Sequence, residues 1–204
     1  MADIKRKCFR FSFCRKNIRE NIMKKFLILF VFLIVGYSAS AQLKVNAGYL
    51  NSKISAKSSG ISTSMNGNGV YAGVLYELAL GQSGLVFEPG VNVDYVKFKV
   101  LGESESLLYL RAPLHLNYKF DVSSAASFFI GAGPSVVVGV WGEDEPFGDG
   151  GMKPVELQVG ALLGVRLVEH FEIRAGYDWG VLKAFDSDVK SHRNSLTVGL
   201  AYTF

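Results

Sequence analysis

Residues 195–204, at the carboxyl end, alternate apolar and small side chains without a break. In an extended chain Leu196, Val198, Leu200, Tyr202 and Phe204 share one face, and Ser195, Thr197, Gly199, Ala201 and Thr203 share the other. Period-two alternation is the mark of a strand lying between two environments. The second face here is small and polar rather than charged, which fits lipid on one side and a packed polar lumen on the other.

The same rhythm recurs from Gln42 onward. Leu43, Val45, Ala47 and Tyr49 begin a first strand, which runs into residues 53–69, a loop by its Ser, Gly and Asn content. A second strand carries Val70 to Leu80 on even positions, and residues 81–84 make a hairpin connector. A third places Leu85, Phe87, Pro89, Val91, Val93 and Tyr95 on one face, then changes phase over residues 96–100, as a bulge or an exit from the membrane would require. The fourth sorts Leu108, Leu110, Ala112, Leu114, Leu116, Tyr118 and Phe120 from Tyr109, Arg111, Pro113, His115, Asn117 and Lys119. Strands five, six and seven follow over residues 128–140, 155–167 and 171–181, with a polar excursion at residues 142–154 and a tight link at 168–170. Residues 182–194 read as a loop to the last strand. Each segment reaches the roughly 9–11 residues of a tilted spanning strand.

These features predict an all-β fold, an eight-stranded antiparallel transmembrane up-and-down β-barrel over residues 42–204. Hydrocarbon offers no partner to an open sheet edge, so first and last strands should pair. Eight strands leave an interior that side chains just fill.

The N-terminal region has a different logic. Lys24 and Lys25 precede an apolar run at residues 26–35, then Gly36, Tyr37, Ser38 and the small triplet Ala39, Ser40, Ala41. The run is shorter than the ~20 residues of a membrane-spanning helix and reads as a secretory signal peptide cut before Gln42. Residues 1–41 are thus a basic extension plus a cleaved signal, with Met23 as the expected start of translation. They hold nine of the 22 Lys and Arg but two of the 18 Asp and Glu, leaving 13 basic and 16 acidic residues in the exported domain. The overall +4 therefore misleads: no basic patch for nucleic acid follows from it. Both cysteines, Cys8 and Cys14, fall in the removed segment, so the exported domain has no disulfide or thiolate.

Inward positions collect Lys44, Arg111, Lys119, Arg166 and Arg174 with Glu77, Glu88, Asp94, Glu156, Glu172 and Asp178. Five positive and six negative groups in a narrow lumen predict a cross-strand ion-pair network, because an unpaired buried charge is strongly disfavoured. Outward aromatics form two girdles: Phe87, Tyr118, Phe120, Phe128, Phe171, Tyr202 and Phe204 at one end, and Tyr49, Tyr95, Tyr177 and Trp179 at the other. Pro113, lacking an N–H, should weaken its ladder, and a hairpin centred near Ser123 puts it opposite Gly133.

The stretch Tyr109-Leu110-Arg111-Ala112-Pro113-Leu114-His115-Leu116-Asn117-Tyr118-Lys119-Phe120, followed by Phe129-Ile130-Gly131-Ala132-Gly133-Pro134, resembles the PorT-like outer-membrane β-barrel family. The similarity extends to Arg174-Ala175-Gly176-Tyr177 and Phe204. Ala112 departs from the family's larger aliphatic residue. The resemblance implies insertion by the barrel-assembly machinery and little about activity.

Chemistry is sparse. His115 beside Arg111 reads as a lumen hydrogen-bonding group. His192 with Ser187, Ser191, Asp186 and Asp188 could form a rim hydrolase, but the spacing supplies no nucleophile and base geometry. Glu143, Asp144, Glu145, Asp149, Asp186 and Asp188 lack the ligand alternation of a calcium loop. Residues 148–151 lack the strand-to-helix setting of a phosphate loop. The expectation is a non-enzymatic outer-membrane protein with no catalytic residue, cofactor or metal, acting through external loops or a protein partner. Its surroundings are outer-membrane lipid and lipopolysaccharide. The alternatives are a small lipid-modifying enzyme and a narrow channel.

Overall fold

A computed structural model of the chain describes residues 41–58, 61–100, 103–123, 125–142, 154–182 and 190–204. The signal-peptide reading of residues 1–40 lies outside these. Eight strands follow in order: β1 (Ala41–Ser58), β2 (Ile61–Ala79), β3 (Leu85–Val100), β4 (Glu103–Ser123), β5 (Ala126–Gly142), β6 (Val155–Leu167), β7 (Phe171–Gly180) and β8 (Lys190–Thr203). Each pairs antiparallel with its sequence neighbour. β1 pairs with β8 from Lys44 opposite Thr203 to Lys57 opposite Lys190, which closes the barrel. At that closure Gly48 lies opposite Gly199. A Cβ on Gly199 would strike the Tyr71 hydroxyl and the Ala47 carbonyl, so the absent side chains make room for the Tyr71 ring inside.

The alternation carries the wall as expected. Leu163 is 61% exposed and Leu200 63%, both on the outside, while Lys44 is 1% exposed inside. The connections after β2, β4 and β6 and both strand termini, Ala41 and Thr203, gather at one end; those after β1, β3, β5 and β7 lie at the other. In the turn before β3, Gly81 and Gly84 take φ of 76° and 75°, a region open to glycine. There the Leu80 N–H donates to Leu85 O at 2.8 Å.

Four expectations need correction. Residues 53–69 are mostly strand: β1 continues to Ser58 and β2 starts at Ile61, with Lys53 opposite Asn66 and Ile54 opposite Met65. The small polar composition there is compatible with a ladder whose exterior is wet. Likewise β8 begins at Lys190 rather than after Asn194. The β3 register runs from Leu85 opposite Tyr118 to Val100 opposite Glu103 without a shift, so the bulge is absent and the backbone never changes phase. What changes is the chemistry of the two faces. Finally, Pro113 faces Ser135, not Gly133, because the β4–β5 hairpin turns one residue later than the sequence suggested. A bulge does occur in β5: Gly139 pairs with Tyr109 and Trp141 with Leu108, so Val140 is the extra residue and Trp141 points outward.

The weakened pairing at Pro113 is real and has company. The β2–β3 ladder passes from Leu75–Gly90 to Leu78–Phe87, the β3–β4 ladder from Asn92–Arg111 to Pro89–Leu114, and the β4–β5 ladder from Pro113–Ser135 to Leu116–Ala132. The skipped positions include Pro89, Pro113 and Pro134 in turn. Three prolines that donate no hydrogen bond form an oblique seam across neighbouring strands.

The β6–β7 turn stores strain. Val168 and Glu169 have φ of 49° and 63°, a left-handed region that costs a β-branched residue about 1–2 kcal/mol. Val168 is 67% exposed, so its side chain contributes no packing. Val168→Asn, which tolerates this conformation, is expected to stabilise the barrel by about 1 kcal/mol. Urea unfolding in detergent micelles checks this; an unchanged or lower midpoint contradicts it.

Candidate functional site

The lumen concentrates the polar side chains, and alternation is what puts them there. Near the turn end, Lys44 of β1 lies between acids from three strands. Its Nζ is 2.6 Å from Glu88 Oε2 and 2.9 Å from Glu172 Oε1, and it also pairs with Glu77. Arg174 Nη2 donates to Glu88 Oε1 at 2.6 Å, and Nη1 stands 3.6 Å from Glu172 Oε2. Arg166 donates through Nε to Glu172 at 2.8 Å and pairs with Glu77, which Lys119 also engages. Six strands are thereby cross-linked through the interior.

Midway up, Arg111 bridges two strands. Its Nε is 2.9 Å from Asp94 Oδ2 and its Nη1 3.4 Å from Asp178 Oδ2, while its guanidinium carbon lies 5.3 Å from the Tyr71 ring centroid. Each of the eleven charged groups predicted to face inward has an opposite charge beside it. The sequence reading missed a further pair because it assigned residues 182–194 to a loop. Arg193 Nε donates to Glu156 Oε2 at 2.7 Å, with its guanidinium 4.1 Å from the Tyr109 ring centroid. The alternation of Ser191, Arg193 and Ser195 against His192, Asn194 and Leu196 was the signal available.

Above Arg111 the interior turns apolar around the pair Arg193–Glu156: Arg193 lies opposite Ile54 and Glu156 opposite Val137. Leu50, Ile54, Val96, Phe98, Leu107, Tyr109 and Val137 pack into one buried cluster, with Met65 against it. The outer wall changes in the opposite sense at the same register. Tyr49, Val70, Tyr95 and Leu108 are successive cross-strand partners, and the next outward row is Asn51, Asn68, Lys97 and Ser106. Below the tyrosines the wall is oily and the lumen ionic; above them the wall is polar and the core largely apolar, with Arg193 and Glu156 paired within it. This inversion is the physical content of the apparent phase change in β3: the strand leaves hydrocarbon for water.

The girdles are present. Phe171 and Tyr202 have ring centroids 5.1 Å apart, Tyr202 and Phe204 5.1 Å, and Tyr118 and Phe120 5.4 Å at the turn end. Tyr177 and Trp179, 4.8 Å apart, mark the other end, which Trp141 joins at 51% exposure.

The catalytic candidates are not brought together. Ser191 is buried inside the barrel, whereas its neighbour His192 is exposed on the outer wall opposite Ser55. Ser187, Asp186, Asp188, the acidic run Glu143 to Glu145, Asp149 and residues 148–151 lie outside the described residues. His115 faces Glu88 in the ladder and lines a lumen cavity of about 30 Å³ with Arg111, Arg174 and Asp178. That is room for one or two water molecules, not a substrate. Among the described residues no three His, Asp or Glu side chains form a metal-binding group.

Polar strands closed into a cylinder, oily outside and ionic within, satisfy the two demands hydrocarbon makes of a β-structure: no free edge, and no charge toward the acyl chains. The chain is an eight-stranded outer-membrane β-barrel protein, located in the cell outer membrane. No protein-family model matches it, nor does any curated protein. Among solved structures it is similar to OprG from Pseudomonas aeruginosa, at 13% identity and TM-score 0.47 over 81% of this chain and 96% of that one. It is also similar to Neisserial surface protein A, at 21% identity and TM-score 0.44 over 81% and 99%, and to the outer membrane enzyme PagL, at 11% and 0.44 over 76% and 98%.

Proposed function

We propose that this protein is a non-enzymatic, PorT-like outer-membrane barrel, exported by a signal within residues 1–41 and inserted by the barrel-assembly machinery. It serves through its loop end and a protein partner. The single observation that carries this is the double seal of its interior. The ion-paired lumen around Lys44 and Arg111 lies beneath an apolar cluster packed round the Arg193–Glu156 pair, in which Val96 is 0% exposed and Tyr109 and Leu50 are 1% exposed. A path for solute would have to break both, so function is left to the ends. The PorT-like assignment rests on the Arg111-Ala112-Pro113-Leu114 core and the Gly131-Ala132-Gly133-Pro134 strand.

The refolded barrel in a planar bilayer is expected to show no single-channel steps. Reproducible steps would replace this reading with a channel. Crosslinking and pull-down from native outer membranes identifies the partner, and recovery of the barrel with lipid alone speaks against one. The enzyme alternative is tested by His192→Ala, which is expected to leave the acylation of lipid A unchanged; a shifted acyl pattern would establish lipid chemistry at the rim.

A further inference from the structure

We infer that the mouth of the barrel at the turn end, where the strand termini lie, is a binding cup for a short peptide with a free carboxylate and a free ammonium. This goes beyond the loop-end reading and does not depend on it. A recess of about 540 Å³ opens there, bounded by Gln42 of β1 and by the ends of β4, β5 and β6, the size of an ordinary small-ligand pocket. It stays open because Ala125, Ala126 and Ser127, where β4 turns into β5, are too small to fill it. Val122, the extra residue where the β4–β5 register shifts, gives it one apolar side.

The floor of the cup is cationic. Lys119 and Arg166 line it, and both pair with Glu77, which Lys44 also engages from below. Arg166 donates through Nε to Glu172 at 2.8 Å, and Arg174 reaches Glu88 at 2.6 Å. The connected group thus sets four cations, Lys44, Lys119, Arg166 and Arg174, against the three carboxylates Glu77, Glu88 and Glu172. Glu77 is shared by three of the cations, so the shortage of negative charge falls at the open side of the group, beneath the recess. An entering carboxylate supplies what is missing, in charge-assisted hydrogen bonds from Lys119 and Arg166.

The rim has the opposite sign. Asp121 and Glu169 line the same recess, are exposed, and have no cation paired with them among the described residues. A lone anion would meet these carboxylates on the way in, and a lone cation would meet the floor. A ligand that leads with a carboxylate and trails an ammonium satisfies both. Asp121 stands two residues beyond Lys119 on the same face of β4, a step of about 7 Å along a strand. A free amino acid cannot hold its charges that far apart, whereas two or three extended residues, at about 3.5 Å each, do. Lys119, Asp121, Ser127 and Arg166 all take inward positions in their strands, so the cup opens inside the cylinder, where a headgroup anchored in the bilayer does not reach.

The test uses the refolded barrel in detergent micelles and equilibrium dialysis against labelled triglycine at low ionic strength. Triglycine is expected to bind saturably, and triglycine amide, N-acetyltriglycine and glycine each about tenfold more weakly, as loss of one charge-assisted bond implies. The double variant Asp121→Asn, Glu169→Gln alters two exposed side chains that hold nothing in the fold. It is expected to bind triglycine about tenfold more weakly than the unaltered chain and to treat N-acetyltriglycine alike. Lys119→Gln should in turn erase the discrimination against the amide; if it fails to refold, the rim variant decides alone. Absence of saturable triglycine binding to the unaltered barrel overturns the proposal, as do equal affinities for the four probes or a rim variant that behaves like the unaltered chain. Tighter binding of N-acetyltriglycine than of triglycine overturns it in favour of a plain anion site.

Discussion

Glu88→Gln is expected to destabilise the barrel by about 3 kcal/mol, because it removes one charge of a fully buried, hydrogen-bonded ionic cluster while leaving its partners in place. Glu88 is 0% exposed and accepts from Lys44 at 2.6 Å and from Arg174 at 2.6 Å. After the change, the group at the turn end holds Lys44, Lys119, Arg166 and Arg174 against Glu77 and Glu172 alone. Gln keeps the shape but not the charge, so the loss is electrostatic and not a cavity effect. The measurement is the urea midpoint and the slope of unfolding in detergent micelles, with the slope unchanged. A loss under about 1 kcal/mol would mean that water reaches the cluster and screens it as it does surface pairs.

The second large effect distinguishes lipid from water at a side chain that looks solvent-exposed. Leu163→Arg, near the middle of the outward series of β6, is expected to cost about 2–4 kcal/mol in a bilayer. Leu163 is 61% exposed and lies beside Ile130 and Ala175 on the outer wall. In a water-soluble barrel the same change would be close to neutral, since surface substitutions usually stay within about 0.5 kcal/mol. Reversible unfolding from phosphatidylcholine vesicles reads the difference. A neutral result there would remove hydrocarbon from this face.

The charged interior was legible because alternation survives whatever the loops do. Once Leu110 and Leu116 are set outward, Arg111, His115 and Asn117 have nowhere else to point. The eleven lumen charges followed from this logic, while the pairing of first strand with last followed from the lack of any partner for an open edge in hydrocarbon. Composition misled where it was set above alternation. The Ser- and Asn-rich residues of β1 and β2 beyond the membrane, and Lys190 to Asn194 of β8, keep the period of two but lack the oily outward series, so they passed for loops. With them went Arg193, its bond to Glu156, and the inward roles of Leu50 and Ile54. The inverted stretch of β3 was detected with two readings, a bulge or an exit from the membrane; the unbroken register removes the first, and Val96 and Phe98 mark a change of solvent. The partner of Pro113 was missed by two positions because a hairpin's centre depends on turn geometry, and moving the centre by one residue moves every partner by two. The Val140 bulge, which turns Trp141 outward, leaves no mark in residue composition.

The opposed gradients of wall and interior have a consequence for how the protein sits in its host. Sliding outward by one side-chain repeat would strip oil from Leu and Val residues on every strand, and sinking inward by the same step would drown Asn51, Asn68 and Lys97 in acyl chains. The cylinder therefore carries its own waterline, and its immersion depth is fixed to within a single repeat whether or not anything ever grips it from either side.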